Sequence, residues 1–195
     1  MMHLRFARPL SVVCIVGAAV QIICGLVATQ FHFWENGNEW MEVLWAVANV
    51  GMIGGALGLF ALDVGRPRWL AAIGVAISVL GNLVRIVASA LTIAGFSVDV
   101  STPVLLSSIP LMMLGMGALG IATLLGKQLT GWRAWTPLLA VGFSILTAST
   151  YSINLYLHGF LLGMWGIPWL LLGYVIFSAS KQESTMLGKA PAVVR

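Results

Sequence analysis

Six unbroken apolar runs, each longer than twenty residues, dominate this chain and decide what it can fold into. They fall at about 9–30, 40–62, 69–95, 103–126, 135–156 and 159–179. A helix rising 1.5 Å per residue needs about 20 apolar residues to cross the hydrocarbon core of a bilayer, so each run predicts a transmembrane helix. Charged residues make up 8% of the chain and hydrophobic ones 59%, whereas a soluble domain carries about a quarter charged residues. A water-soluble globule is therefore excluded. A transmembrane barrel would alternate outward apolar and inward polar side chains, and stretches such as Val104 to Leu106 and Leu170 to Leu172 do not alternate. The expected fold class is all-α: a polytopic membrane protein with six transmembrane helices in residues 1–180, followed by a polar tail over 181–195. The first run is too long for a secretory signal and lacks a small-x-small cleavage site close behind it.

Lysine and arginine near a span are retained on the cytoplasmic side. Placing the N-terminus inside brings Arg5, Arg8, Arg66, Arg68, Lys127, Arg133, Lys181, Lys189 and Arg195 to the cytoplasm and leaves Glu35, Glu39, Glu42 and Asp99 outside. Both termini are then cytoplasmic, in a multi-pass protein of the inner (plasma) membrane. The net charge of +4 is a topology signal. Its carriers are scattered over separate segments without interleaved aromatics, so no nucleic-acid partner is expected. Cys14 and Cys24 are ten residues apart in the first run, roughly 15 Å along a helix, too far to bridge.

Helices in lipid pack through small residues, because hydrocarbon offers no hydrophobic drive between them. Gly51 with Gly55, Gly54 with Gly58, the cluster Gly115, Gly117, Ala118 and Gly120, and Gly159 with Gly163 predict close intramolecular packing, with contact to a second copy or a partner membrane subunit as the alternative. Pro110 and Pro168 predict kinks. The third and fifth runs align at an offset of 66 residues through Trp69 and Trp135, Ser78 and Ser144, and Leu80 and Leu146.

The functional signal is a polar stripe. Ser78, Asn82, Arg85, Ser89 and Thr92 are spaced four, three, four and three residues apart and so share one face of a helix. An arginine in a lipid-facing position costs about 2.5 to 3.5 kcal/mol on insertion scales, so the stripe must face the bundle interior or water. The fifth run repeats the pattern with Ser144, Thr147, Tyr151, Asn154 and His158. Asn49 and Glu42 on the second run, and Ser107 and Ser108 on the fourth, fall at comparable depth. The groups converge on a zone in the outer half of the membrane. Arg85 needs an anion: Glu42, Asp99 and Glu39 are candidate partners, and a ligand carboxylate or phosphate is the alternative.

Between the first two runs, Trp34 and Trp40 among Glu35, Glu39 and Glu42 read either as an interfacial aromatic belt or as a rim over that zone. His32 and His158 with Glu35 or Glu39 lack any metal-binding spacing such as H-E-x-x-H, and no histidine lies centrally in a span, so neither metal nor haem is expected. Phosphate loops, dinucleotide fingerprints and nucleophile elbows are absent, so no cofactor is expected.

The segments Gly131 to Phe143 (GWRAWTPLLAVGF), Gly166 to Phe177 (GIPWLLLGYVIF) and Glu42 to Gly51 (EVLWAVANVG) resemble small bacterial multi-pass membrane proteins of actinobacterial type, a resemblance that carries over no catalytic or binding residue. In size, helix count and termini the chain also resembles vitamin-binding subunits of energy-coupling transporters.

Three readings follow. In the first, the protein binds or transports a small amphipathic or lipid-like anionic ligand, held by Arg85, Asn82, Asn49, Ser89, Tyr151, Asn154, Trp34 and Trp40. In the second, it is an intramembrane enzyme acting on an isoprenoid or other lipid, with Glu42 or Glu39 as general acid and Trp34, Trp40, Trp45 and Trp165 facing a developing cation. In the third, it is an accessory subunit whose polar stripes only mate with one another.

Overall fold

The computed structural model describes residues 4–31, 39–150 and 153–188, and the described residues are helices joined by short turns. The order is α1 (Leu4–Phe31), α2 (Glu39–Ala61), α3 (Arg68–Ile93), α4 (Val98–Gly126), a short 3-10 helix (Gly131–Trp135), α5 (Thr136–Thr150), α6 (Leu155–Met164) and α7 (Gly166–Gly188). Among the described residues, five stretches are long and apolar enough to cross a membrane: Phe6–Thr29, α2, α3, α4, and Tyr156–Lys181 across α6 and α7.

The predicted fifth span is shorter than the apolar run suggested. α5 is described over 15 residues, about 22 Å of helix. Near its end, Ser149 donates to Leu146 O at 2.8 Å and Thr150 to Thr147 O at 2.9 Å. Asn154 then starts α6 by accepting from Leu157 N at 3.0 Å, an N-cap that the apolar run conceals. One turn before Pro168 the helix is divided at Trp165, whose own dihedrals, φ −58° and ψ −21°, remain in the right-handed helical region. Proline has no N–H to give the carbonyl four residues back, and that carbonyl belongs to Met164, the last residue of α6. Residues 181–188, the start of the expected polar tail, continue α7; Lys181, Gln182, Glu183, Met186 and Leu187 are all good helix formers.

Close approaches show that α1 to α5 run antiparallel in succession, and that α6 and α7 together return alongside α1. A Cβ added at Gly17 would meet Gly51 of α2, one at Gly74 would meet Leu119 of α4, and one at Gly120 would meet Leu138 of α5. Trp165 Nε1 donates to Ala140 O of α5 at 3.0 Å, and Gly173 sits against Ile15 of α1. The start of α1, the α2–α3 and α4–α5 connections and the end of α7 therefore lie at one end of the bundle. Arg8, whose guanidinium sits 5.4 Å from the Phe177 ring, lies there with Arg66, Arg68, Lys127, Arg133 and Lys181. At the opposite end are Glu39, Glu42 and Asp99 in the first turns of α2 and α4.

Small residues set the packing within the chain. The Gly17 and Gly51 backbones touch across α1 and α2, Gly55 leaves room for Cys14 and the Trp169 ring, and Gly115 packs on Ser78. Gly117 has nothing within 4 Å. Trp169, Met52, Leu59, Leu172 and Ile176 are fully buried in the core. Both cysteines are free and buried.

Candidate functional site

In the half of the bundle nearer the acidic end, α2 to α6 enclose a cavity of about 460 Å³, within the range typical of small-molecule sites. Its polar lining is Glu42 from α2, Arg85 and Thr92 from α3, Ser101, Thr102 and Ser108 from α4, Ser144 and Thr147 from α5, and His158 from α6. Leu105, Ile109, Met112, Leu162 and Trp165 supply apolar wall. Thr92 and Val98 line the cavity and are also exposed, so it reaches the surface beside the turn between α3 and α4. Gly95 makes that turn with φ +77°, a backbone conformation that glycine adopts without a Cβ clash.

Trp165 is held by its bond to Ala140 O and stands edge-on to Trp169, ring centroids 6.3 Å apart and planes at 85°, an arrangement that aromatic quadrupoles favour. Five of the six lining hydroxyls are also held. Ser101 donates to Ser97 O, Ser108 to Leu105 O, Ser144 to Ala140 O, Thr147 to Phe143 O and Thr92 to Ala88 O. Each of these hydroxyls has thus spent its single hydrogen on its own helix and presents lone pairs elsewhere. His158 Nδ1 lies 2.9 Å from Thr147 O; a carbonyl can only accept, so Nδ1 carries the proton.

Arg85 is half-buried. Glu42 acts on it electrostatically, yet among the described residues the ion pairs within 4.0 Å are those of Asp63 with Arg66 and Arg68. Arg85 has no hydrogen bond among the described residues, and Glu42 Oε2 is buried without a hydrogen-bond partner.

The other sequence candidates divide. Asn82, Asn49 and Ser89 are buried but do not line the cavity. Asn82 Nδ2 donates to Ser78 O at 2.8 Å and Asn49 Nδ2 to Trp45 O at 2.7 Å; their Oδ1 atoms and Ser89 Oγ have no partner. They sit in the α2–α4 packing because α3 is flanked by helices on both edges of its polar face. Asn154 is exposed and serves as the cap of α6, so it is not a wall residue. Ser107 is exposed and bonds Val104 O, leaving Ser108 alone to face inward. Glu39 and Trp40 are exposed at the start of α2 and are not among the lining residues. Trp45 packs with Cys24, Ala28 and Met41. Tyr151, Trp34, His32 and Glu35 lie outside the described residues.

Sequence reasoning missed Ser101, Thr102, Leu105, Ile109 and Met112. The face Ser101, Leu105, Ser108, Met112 has helical spacing, but leucine and methionine do not stand out in an apolar run. Against known proteins, the chain matches no family model, and no curated protein or solved structure is similar to it.

Proposed function

We propose that the chain is a multi-pass protein of the bacterial inner (plasma) membrane, crossing it six times with both termini in the cytoplasm, and that it binds or transports a small amphipathic, anionic ligand in this cavity. The segregation of basic residues to one end of the bundle and of Glu39, Glu42 and Asp99 to the other supports the orientation, since translocation retains Lys and Arg inside. The cavity then lies in the outer half of the membrane.

The observation that carries the ligand reading is Arg85, a guanidinium in a cavity wall with no ion pair within 4.0 Å among the described residues. An unpaired charge taken from water is expensive, and a bidentate carboxylate or phosphate offsets that cost best. The apolar wall of Leu105, Ile109, Met112, Leu162 and Trp165 supplies a berth for the ligand's hydrocarbon part. Native mass spectrometry of the detergent-purified protein tests the reading. The wild type should carry a small-molecule or lipid adduct, and Arg85→Ala should lose it while eluting as the same monodisperse species; an adduct of equal occupancy in the variant refutes it.

A further inference from the structure

Two opposite formal charges line this cavity without meeting. Glu42 Oε2 is buried with no hydrogen-bond partner, and no ion pair within 4.0 Å joins Glu42 to Arg85. A purely anionic ligand would pair with Arg85 and confront the carboxylate; a purely cationic one would do the reverse. In either case one buried charge stays uncompensated, at substantial cost.

The hydroxyls supply a second observation. Because Ser101, Ser108, Ser144, Thr147 and Thr92 each donate to a carbonyl of their own helix, they can only accept from a ligand. With Glu42 they make the polar lining rich in acceptors, against the donors of Arg85 and the single hydroxyl of Thr102. A ligand matched to such a wall carries N–H donors as well as an anion, and an ammonium brings three.

Resting on the cavity being the ligand site, we propose that its ligand is a zwitterion: a primary ammonium and a phosphate or carboxylate joined by a short linker, the anion on Arg85 and the ammonium on Glu42 and the neighbouring hydroxyl oxygens. Two sources share that chemistry, an ethanolamine phospholipid headgroup and a free phosphoethanolamine or amino acid.

Matched probes decide it. Binding to the full chain in detergent micelles is measured for lysophosphatidylethanolamine, for lysophosphatidylglycerol, which keeps the phosphate and replaces the ammonium by hydroxyls, and for free phosphoethanolamine. The wild type should prefer the ethanolamine lysolipid over the glycerol one by about tenfold or more, the value of one charge-assisted hydrogen bond. Glu42→Gln should bring the two lysolipids to similar affinity, and Arg85→Gln should weaken both. Equal affinity of the wild type for the two, or a preference that survives Glu42→Gln, overturns the zwitterion while leaving an anionic ligand standing. Unchanged binding in Arg85→Gln overturns the underlying site assignment instead. The wild-type preference needs no variant and so holds as a test even where a variant does not fold. Phosphoethanolamine binding as tightly as the lysolipid assigns a free zwitterion and weaker binding assigns a headgroup; both support the inference.

Discussion

Placing an alanine at Gly17 tests whether the α1–α2 joint is as close as its geometry requires. The added Cβ would lie 2.5 Å from Gly51 Cα and 2.9 Å from Ala48 O, whereas carbon atoms in contact rest about 3.5–4.0 Å apart. Both obstacles are backbone, so no side chain can rotate away, and the helices must part by about 1 Å. Overpacking of this kind costs roughly 1–3 kcal/mol, and a backbone-on-backbone contact belongs near the top of that range. Alanine recovers about 1 kcal/mol of helix propensity, leaving a net loss of about 2 kcal/mol. Gly117 and Gly142 are internal controls, for a Cβ at either meets nothing within 4 Å; alanine there should stabilise by about 1 kcal/mol. Reversible unfolding in mixed micelles, or steric trapping in bilayers, reads the free energies. The expected result is opposite signs, with Gly17→Ala and Gly117→Ala separated by about 3 kcal/mol. Because Gly51→Ala relieves itself by the same separation, the double change at 17 and 51 should cost less than the sum of the two singles. Equal effects at Gly17 and Gly117, or full additivity at 17 and 51, would refute the close joint.

Two further outcomes follow from polar groups away from the cavity. Asn154→Ala should cost about 1 kcal/mol through loss of the α6 cap and leave lysolipid affinity unchanged; a binding defect would put Asn154 back in the site. At the α2–α3 connection, Asp63 accepts from Arg66 Nη1 at 3.0 Å and Arg68 Nε at 2.9 Å, and the hydrogen bond from Arg66 in particular holds its carboxyl below the ordinary 3.8. A depressed folded-state value means stabilisation that is present above the unfolded value and lost as pH falls through the folded one. Asp63→Asn should therefore lower stability slightly at neutral pH, the difference shrinking as pH drops below 3.8; thermal unfolding of both forms across that range checks it, and a difference that persists in acid contradicts the ion-pair account.

The helices were legible because length, apolarity and scarce charge leave a chain in lipid few alternatives, and Arg85 was legible because a guanidinium in an apolar run must find an interior. The stripe on α3 proved to be two things. Arg85 and Thr92 face the cavity, while Ser78, Asn82 and Ser89, on the same face by spacing, are buried against neighbouring helices. Spacing fixes the direction of a side chain around its own axis but says nothing of what stands opposite. On α5 the error had another cause. The Ser144 to His158 pattern assumed one continuous helix, yet Ile153 and Asn154 are not helical and a new helix starts at Leu155, so the 3.6-residue period does not carry across. His158 reaches the cavity from α6, and Asn154 does not.

The distribution of glycine explains why the cavity lies where it does. In α3 the glycines are Gly74 and Gly81, and in α4 they are Gly115, Gly117, Gly120 and Gly126; Gly81 stands at the middle of its helix and the others toward the basic end. At Gly74 and Gly81 the backbones of α3 and α4 close, a Cβ at Gly74 lying 2.6 Å from Leu119 N and one at Gly81 2.7 Å from Met112 N, while a Cβ at Gly120 would lie 2.7 Å from the Leu138 side chain of α5. Toward the acidic end both helices are free of glycine, and their facing positions carry Arg85, Ala88 and Thr92 on α3, and Ser101, Leu105, Ser108 and Met112 on α4. Met112 stands at the boundary, touching Gly81 on one side and the cavity on the other. Where backbones touch there is no space to fill and nothing that can rotate; where side chains hold helices apart, a rotamer change can make room. The glycine half is therefore a fixed base that sets the spacing of α3 and α4, and the glycine-free half is the part of the bundle where side chains, not backbones, hold the helices apart.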